Sequence, residues 1–367
     1  MGSMWTLANR TPFAAFAGFD RDKEGRSYWF VWAKGTFRMR HGRSCLFERK
    51  QIDLFRAPVY RAEVGTSELM ADTDIGLPKA RPDFLLTGHA YRPASTSRNE
   101  AFEVSASIGS WSKSLSVQPA MIRFGRTAEL LQDDDDAPVF LGFSNAFGGT
   151  DADSEAGRSQ EFAENPLGLG YWVSEAAARG KALPRLYVPG ASPLTKWNDR
   201  AKPAAFSAIP KSWPQRAQYS GTYDENWMRR KSPLLPDDLQ EDYWQCVPAD
   251  QQLDKTPPVG QTITLTNVLP DGGDASLRHF TTEMPTLEFE LTTRFKHRWQ
   301  ETSMTLQTIH LFPDEGLLTL AYCGAMPLLS ATNDVLVERS ELVLRGHSGF
   351  RVRPDDMDCF DGLGMEV

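Results

Sequence analysis

Residues 204–254 constrain the fold of this 367-residue chain more than any other part of its sequence. Large aromatic residues are concentrated there, namely Trp213, Tyr219, Tyr223, Trp227, Tyr243 and Trp244. Prolines exclude a long helix or a central strand from the same stretch, at positions Pro210, Pro214, Pro233, Pro236 and Pro248. A disordered linker would be poor in aromatic residues, because it cannot bury enough apolar surface to offset its chain entropy. We therefore predict an ordered, irregular stretch, here called the aromatic segment, which its rings hold on a core and which is a candidate for function.

Two β-rich blocks flank the irregular middle of the chain. Alternating or clustered apolar residues predict strands at 28–37, 84–91, 102–108, 113–117, 121–124 and 139–143, and again at 261–269, 286–293, 304–312, 316–323 and 335–344. Most connections are too short for helical crossovers, so antiparallel pairing is expected. Short helices are expected at 171–179 and 236–244, and Asp237 and Asp238 suit the N-terminus of the second.

These patterns predict a mainly β protein with two antiparallel, sandwich-like blocks around a long, loop-rich centre with short helices. The N-terminal β block spans 5–148, the irregular central segment 149–259, the C-terminal β block 260–355 and the tail 356–367. The chain is long enough to bury a substantial core, and the blocks form either separate domains or one compact unit.

Composition favours a cytoplasmic protein. The net charge of −8 and the isoelectric point near 5.4 argue against nucleic acid or an anionic membrane as the principal partner. No run approaches the roughly 20 apolar residues that cross a bilayer, and we expect no signal peptide. The cysteines lie far apart, which favours reduced, mostly buried thiols over a zinc site or a disulfide framework, at Cys45, Cys246, Cys323 and Cys359.

Carboxylates in two places suggest a site, but each has a simpler explanation. The four aspartates at 133–136 lack the alternating spacing of a calcium loop, which favours a solvated loop. Asp224, Glu225, Asp237 and Asp238 lie near tryptophans, as the paired carboxylates of a glycoside hydrolase do. Asp237 is better explained as a helix cap, and Asp224 as a turn acceptor.

Other catalytic motifs are missing from the sequence. It contains no nucleophile elbow, P-loop, dinucleotide fingerprint or metal-ligand histidine spacing. His89 lies in a predicted strand, where we expect a buried hydrogen bond or a partner contact. Gly148 and Gly149 precede no phosphate-binding helix and predict a tight turn with positive φ. We expect no enzymatic activity, no metal and no cofactor.

Three spaced motifs in the aromatic segment resemble those of one bacterial family. They are Gly221-Thr222-Tyr223-Asp224-Glu225-Asn226-Trp227, Pro233-Leu234-Leu235-Pro236-Asp237-Asp238 and Pro248-Ala249-Asp250-Gln251-Gln252. Further blocks that look like the family's are Lys34-Gly35-Thr36-Phe37, residues 79–89 ending in Thr87-Gly88-His89-Ala90, Ala146-Phe147-Gly148-Gly149, Asn165-Pro166-Leu167-Gly168 and Trp213-Pro214-Gln215-Arg216. The resemblance covers residues 28–327, and Asn145 and Leu169 depart from it where arginine is expected.

This family was first catalogued as a domain of unknown function and is encoded beside type VI secretion spike proteins and toxic effectors. The resemblance implies a bacterial, cytoplasmic adaptor or chaperone that loads a cognate toxic effector onto a VgrG or PAAR spike. Aromatic and arginine side chains are typical interface anchors, and the candidate partner contacts are Trp213, Arg216, Tyr223, Trp227 and Arg229. Alternatively, the tryptophans only pack the aromatic segment on the core.

A second hypothesis is a carbohydrate-active enzyme or a carbohydrate-binding β-sandwich, in which exposed tryptophans stack on sugars. A deep cleft with two carboxylates about 5 to 9.5 Å apart would favour the enzyme. A broad apolar surface patch would favour the adaptor.

Overall fold

The computed structural model describes residues 5–124, 127–130, 137–153, 158–270, 274–295, 298–328 and 337–360. The N-terminal half contains strands β1 Thr6–Asn9, β2 Ala14–Arg21, β3 Ser27–Arg38, β4 Arg43–Phe47, β5 Val59–Tyr60, β6 Leu69–Ala71, β7 Asp83–Leu86, β8 His89–Ala90, β9 Phe102–Ile108, β10 Trp111–Val117, β11 Met121–Phe124, β12 Thr127–Leu130, β13 Val139–Phe140, β14 Phe147–Gly148, β15 Thr150–Asp153, β16 Arg158–Glu161, β17 Leu169–Gly170 and β18 Leu186–Tyr187. The C-terminal part contains β19 Thr262–Thr266, β20 His279–Glu283, β21 Thr286–Phe295, β22 Trp299–Ser303, β23 Thr305–Phe312, β24 Leu317–Pro327, β25 Val337–Ser348 and β26 Phe350–Arg351.

The described helices are short. They are α1 Glu175–Ala178, α2 Pro214–Ala217 and α3 Glu225–Arg230, with 3₁₀ turns at Phe143–Asn145, Glu241–Trp244, Ala249–Gln251, Ala275–Arg278 and Pro354–Phe360. The prediction of a mainly β protein with few short helices is confirmed.

Strands from both predicted blocks lie in one large curled sheet. Its order is β18-β10-β9-β19-β20-β4-β3-β24-β23-β7, with β2 beside β3 and β26 beside β4. The longest pairing in it joins β3 to β24, from Tyr28 opposite Pro327 to Arg38 opposite Leu317. A second sheet has the order β1-β25-β21-β22. The two predicted blocks are therefore separate along the sequence, but their strands alternate within the same sheet.

The pairing of the strands is partly parallel, whereas the sequence predicts antiparallel pairing. The strands β7 and β23 pair in parallel, with Asp83 opposite Thr308, and β4 pairs in parallel with both β20 and β26. Short connections favour antiparallel neighbours only for strands that follow one another in the chain. These parallel partners lie far apart in sequence, so the lengths of the short connections do not determine how they pair.

The ring-rich strand β3 is buried on both faces. Trp29, Val31 and Ala33 pack against the second sheet, where they meet an apolar cluster made by Leu291, Phe295, Val337 and Leu342. Phe30 and Trp32 pack on the opposite face, with Leu54 and Cys323. Burial on two sides explains why this strand reads as a continuous apolar run rather than an alternating one.

Two local predictions need correction. Residues 236–244 do not form a helix, and only Glu241–Trp244 makes a 3₁₀ turn, so Asp237 and Asp238 cap no helix there. The helix α3 was missed, although Asp224 caps it by accepting a hydrogen bond from Trp227 N at 2.7 Å. At 171–179 only α1 is helical, with Ser174 as its cap.

The cysteines are free. Cys45, Cys246 and Cys323 are buried, and Cys359 is partly exposed. Burial raises the pKa of Cys45 to about 11 and that of Cys323 to about 12, so both remain thiols. The aspartates 133–136 lie outside the described residues.

Candidate functional site

Arg216 and Trp213, two of the candidate partner contacts, lie inside the protein. Arg216 is 2% exposed, and its Nη1 lies 2.8 Å from Asp72 Oδ2. The same guanidinium donates to Ile209 O at 2.7 Å and to Tyr243 O at 3.0 Å. Trp213 is 6% exposed and packs edge-on against a phenylalanine ring of the core. Both side chains are therefore held inside the protein, where they anchor the aromatic segment.

A second buried contact joins the aromatic segment to the start of β7. Asp83 Oδ2 lies 2.6 Å from Lys79 Nζ and accepts from Cys246 N at 2.8 Å. Its other oxygen accepts from Gln245 Nε2 at 2.7 Å. Burial by itself lowers the pKa of Lys79, but Asp83 outweighs it and holds the pKa above its ordinary value. The ammonium therefore stays charged and balances the charge of Asp83, whose carboxylate ties the segment to the sheet.

The motif residues Asp250 and Gln251 form a third anchor. Gln251 is fully buried and donates to Phe84 O at 2.8 Å and to Phe206 O at 3.0 Å. Lys113 Nζ, from β10, donates to Gln251 Oε1 at 2.7 Å and to Asp250 Oδ1 at 2.9 Å. Burial lowers the pKa of Lys113 to about 8, against the opposing effect of Asp250.

A cleft of about 340 Å³ opens between these anchors. Its floor is apolar and contains Phe143, Ala204, Ala205, Ile209 and Val247. Its charged lining residues are Arg81, Lys113, Lys202, Arg216, Glu164, Asp242 and Asp250. Two family-like motifs, one containing Arg216 and the other Asp250, thus line the same cleft.

Between the anchors, residues 221–238 form a projection folded by its own polar groups. Asp238 accepts from Thr222 N at 2.9 Å and from Thr222 Oγ1 at 2.7 Å. Asp237 forms an ion pair with Lys231. Gly221 has φ of 77°, and a Cβ there would lie 2.7 Å from Cβ of Pro236. The motif carboxylates of this stretch therefore serve its local fold.

Several large side chains are exposed on the projection. Tyr223 is 53% and Met228 67% exposed, and the side chain of Arg229 is 74% exposed. Trp227 is partly buried, donates from Nε1 to Leu234 O at 2.9 Å and meets the Tyr223 ring edge-on at 4.7 Å. Of the five candidate contacts, Tyr223 and Arg229 lie at the surface and Trp227 supports them. Met228 was not among the candidates.

The family-like blocks outside the aromatic segment contribute structural contacts. Lys34 is buried, with Nζ 2.8 Å from Asp74 Oδ2. Asn165 is fully buried and donates to Phe143 O at 2.8 Å and to Phe147 O at 2.9 Å. The carbonyl of Pro166 accepts from Thr150 Oγ1 at 3.2 Å.

The turn at Gly148 and Gly149 has the predicted positive φ, 147° and 116°. A Cβ on Gly148 would lie 2.1 Å from Asn165 O, so the chains approach too closely for any side chain. The two departures from the family pattern lie beside this turn. Asn145 donates to Phe140 O at 2.8 Å, and Leu169 pairs with Phe147 in a short parallel ladder.

His89 is partly exposed and lies beside a carboxylate. Its Nδ1 lies 2.7 Å from Asp314 Oδ2, and Tyr91 Oη donates to the other oxygen of Asp314 at 2.8 Å. Burial raises the pKa of Asp314, but these hydrogen bonds outweigh it and hold the pKa below its ordinary value. Gly88 gives room for the neighbouring Pro313, whose Cδ would lie 3.0 Å from a Cβ there. Within the described ranges, no three His, Cys, Asp or Glu side chains are placed to hold a metal ion.

The fold and the aromatic segment define a mainly β protein whose large sheet carries an ordered, loop-rich segment on buried ion pairs. Residues 24–322 match the DUF2169 family, described as an uncharacterized protein conserved in bacteria, and the chain belongs to that family. No curated protein and no solved structure matches the chain. In the part of the chain that the structure describes, no helix has the length and apolar character to cross a membrane.

Proposed function

We propose that this protein is a non-enzymatic adaptor of the bacterial cytoplasm that binds a type VI secretion effector and presents it to a VgrG or PAAR spike. The motifs of the aromatic segment, which resemble those of adaptors encoded beside spike and effector genes, support the type of partner. The structural observation that carries the proposal is the projection at 221–238, which holds exposed Tyr223, Met228 and Arg229 on a folded support.

The projection has the composition of a protein interface. Tyrosine, methionine and arginine are enriched where proteins meet, and each can cover a large area of the partner. Its support is already ordered by the Asp224 cap, by the contacts of Asp238 with Thr222 and by the indole hydrogen bond of Trp227. A partner therefore meets side chains whose backbone needs no further ordering.

The carbohydrate hypothesis fits this geometry less well. Tyr223 and Trp227 meet edge-on, at 69°, and so offer no continuous flat platform on which a sugar could stack. Asp250 and Asp242, which line the cleft, each lie 2.9 Å from a cation, Lys113 and Arg81. Both carboxylates therefore already bind a cation of the protein, whereas a glycosidase needs two carboxyl groups that are free to act on the sugar.

Co-expression with the toxin encoded beside this protein tests the proposal. We expect co-purification and a higher soluble yield of the toxin than without the protein. Met228→Ala should reduce capture, whereas Val64→Ala, at an equally exposed apolar position outside the aromatic segment, should not. Equal toxin recovery with and without the protein, together with no co-purification, would refute the adaptor.

A hydrolase assay separates the two classes of function. Asp224→Asn keeps a side-chain oxygen that can cap α3, so the variant should fold and bind the effector. Turnover of a glycan that disappears in Asp224→Asn would overturn the adaptor proposal.

A further inference from the structure

The cleft between the anchors contains one cation that is not matched by a carboxylate. Arg81 pairs with Asp242, Lys113 with Asp250, and Arg216 with Asp72. Lys202, by contrast, forms no hydrogen bond or ion pair with any residue that the structure describes. The positive charge that the fold leaves unpaired in this cleft is therefore that of Lys202.

Lys202 and Lys113 both line this cleft, and their two ammonium groups repel each other. The repulsion adds to the effect of burial, which lowers the pKa of Lys113. Lys113 uses two of its three N–H donors, on Asp250 and Gln251. An anionic group between the two ammonium groups would relieve their repulsion and accept charge-assisted hydrogen bonds from both.

The other charges at the cleft limit how much negative charge it can accept. Glu164, Asp242 and Asp250 also line it, and they would repel a polyanion such as nucleic acid. A single carboxylate beside the lysines avoids most of this repulsion. The apolar floor of buried side chains suits an aliphatic group next to that carboxylate, and a volume of about 340 Å³ holds several ligand atoms beyond it.

We propose that this cleft binds an extended segment of a partner polypeptide, with one carboxylate between Lys113 and Lys202 and a neighbouring aliphatic side chain on the floor. The choice of a polypeptide rests on the proposed adaptor function. The cleft gives the partner a second point of contact, separate from the projection. This contact recognises a carboxylate next to an aliphatic side chain.

Titration calorimetry on the full chain tests the site, with acetyl-Leu-Glu-Leu-amide as the probe and acetyl-Leu-Gln-Leu-amide as its neutral counterpart. Lys202→Gln removes the unmatched charge from an exposed position, so the variant should fold normally. Lys50→Gln removes an exposed lysine that does not line the cleft and serves as the matched control. Acylation of lysine amines, followed by mass spectrometry, reports in parallel whether the probe protects Lys202.

We expect the acidic peptide to bind the wild type and Lys50→Gln equally, and Lys202→Gln about tenfold more weakly. The neutral peptide should bind the wild type about tenfold more weakly than the acidic one. Protection from acylation should be confined to Lys202 among the exposed lysines.

Four results would overturn the proposal: equal binding of both peptides, unchanged affinity in Lys202→Gln, no binding at millimolar peptide, or binding of acetate or inorganic phosphate as tight as that of the peptide. The last would identify a site for small anions. Because these peptides are free in solution, the outcome is independent of toxin capture. Peptide binding without toxin capture would retain the cleft site and refute the adaptor, and the reverse pattern would do the opposite.

Discussion

Replacing Arg216 by methionine should release the aromatic segment from the sheet and strongly destabilise the protein. Methionine fills much of the same volume but removes the charge that faces Asp72 at 2.8 Å. It also removes the donors to Ile209 O and Tyr243 O. Since Asp72 is itself buried, its carboxylate would lose the countercharge at 2.8 Å while it stays inside the protein.

Breaking one side of a buried ion pair costs about 3–5 kcal/mol, because the remaining charge stays buried. Asp72→Asn should cost less, since Arg216 keeps its carbonyl acceptors. The double variant should cost less than the sum of the two by about 1–3 kcal/mol, because it no longer buries an unmatched charge. Urea unfolding of the four proteins, followed by tryptophan fluorescence, measures these differences.

The pH dependence of the same variants gives a second measurement. Burial raises the pKa of the Asp72 carboxyl, but the charges of Arg216 and Lys211 outweigh it and hold the pKa below its ordinary value of about 3.9. In the wild type the stabilisation by this carboxylate is present above about pH 4 and is lost as the pH falls through the lower folded value. Without Arg216 the carboxylate of Asp72 is a buried charge that has lost its nearest partner, and its pKa should rise, so the cost of Arg216→Met should decrease as the pH falls and Asp72 is protonated. A cost below about 1 kcal/mol that does not change with pH, together with additive effects in the double variant, would refute the anchor.

The remaining predictions concern three other positions. Arg229→Ala should change the free energy of unfolding by under about 0.5 kcal/mol, as thermal melts would measure. It should weaken effector binding by about 1–2 kcal/mol in a pull-down titration. Wild-type affinity in this variant would show that the projection is not part of the binding surface. Gly148→Ala should cost more than about 2 kcal/mol in urea unfolding, because its Cβ would lie 2.1 Å from Asn165 O. Gly190→Ala, at a φ of 80° and with no atom within 4 Å of the new Cβ, should cost only about 1–2 kcal/mol. Equal costs for the two variants would contradict the close approach at Gly148. Between about pH 8 and the ordinary lysine pKa of about 10.4, Lys113 is protonated more often in the unfolded state than in the folded state. The stability of the wild type relative to Lys113→Met should therefore rise with pH in this range. Urea midpoints of the two proteins that run parallel across the range would exclude the lowered pKa.

The sequence predicts a strand well where apolar and polar residues alternate along that strand. The strand at 102–108 is observed with the same bounds, since its alternating side chains report one buried and one solvated face. The ordered state of the aromatic segment also follows from its composition. Pairing partners do not follow, because β3 meets β24 through contacts between distant parts of the chain.

The buried cations explain the largest difference at the candidate site. Aromatic and arginine side chains are typical of an interface, and this tendency alone predicts Arg216 as a partner contact. Its burial depends on Asp72, which lies far from it in sequence and provides the countercharge. A local signal did exist for Asp83, because an aspartate that begins an apolar strand must find donors when it is buried. Nothing in the local sequence identifies those donors as Gln245 and Cys246.

The structure divides the family-like motifs into two groups with different physical roles. Arg216, Asp250 and Gln251 make contacts that fix the aromatic segment on the sheet, and changes there act mainly on stability. Tyr223 and Arg229 are exposed on the projection, where changes can alter a partner's affinity while the anchors remain intact. Because the anchors lie at both ends of the projection, they set its position without sharing its contacts. The surface chemistry of the projection can therefore change while the frame that presents it stays the same.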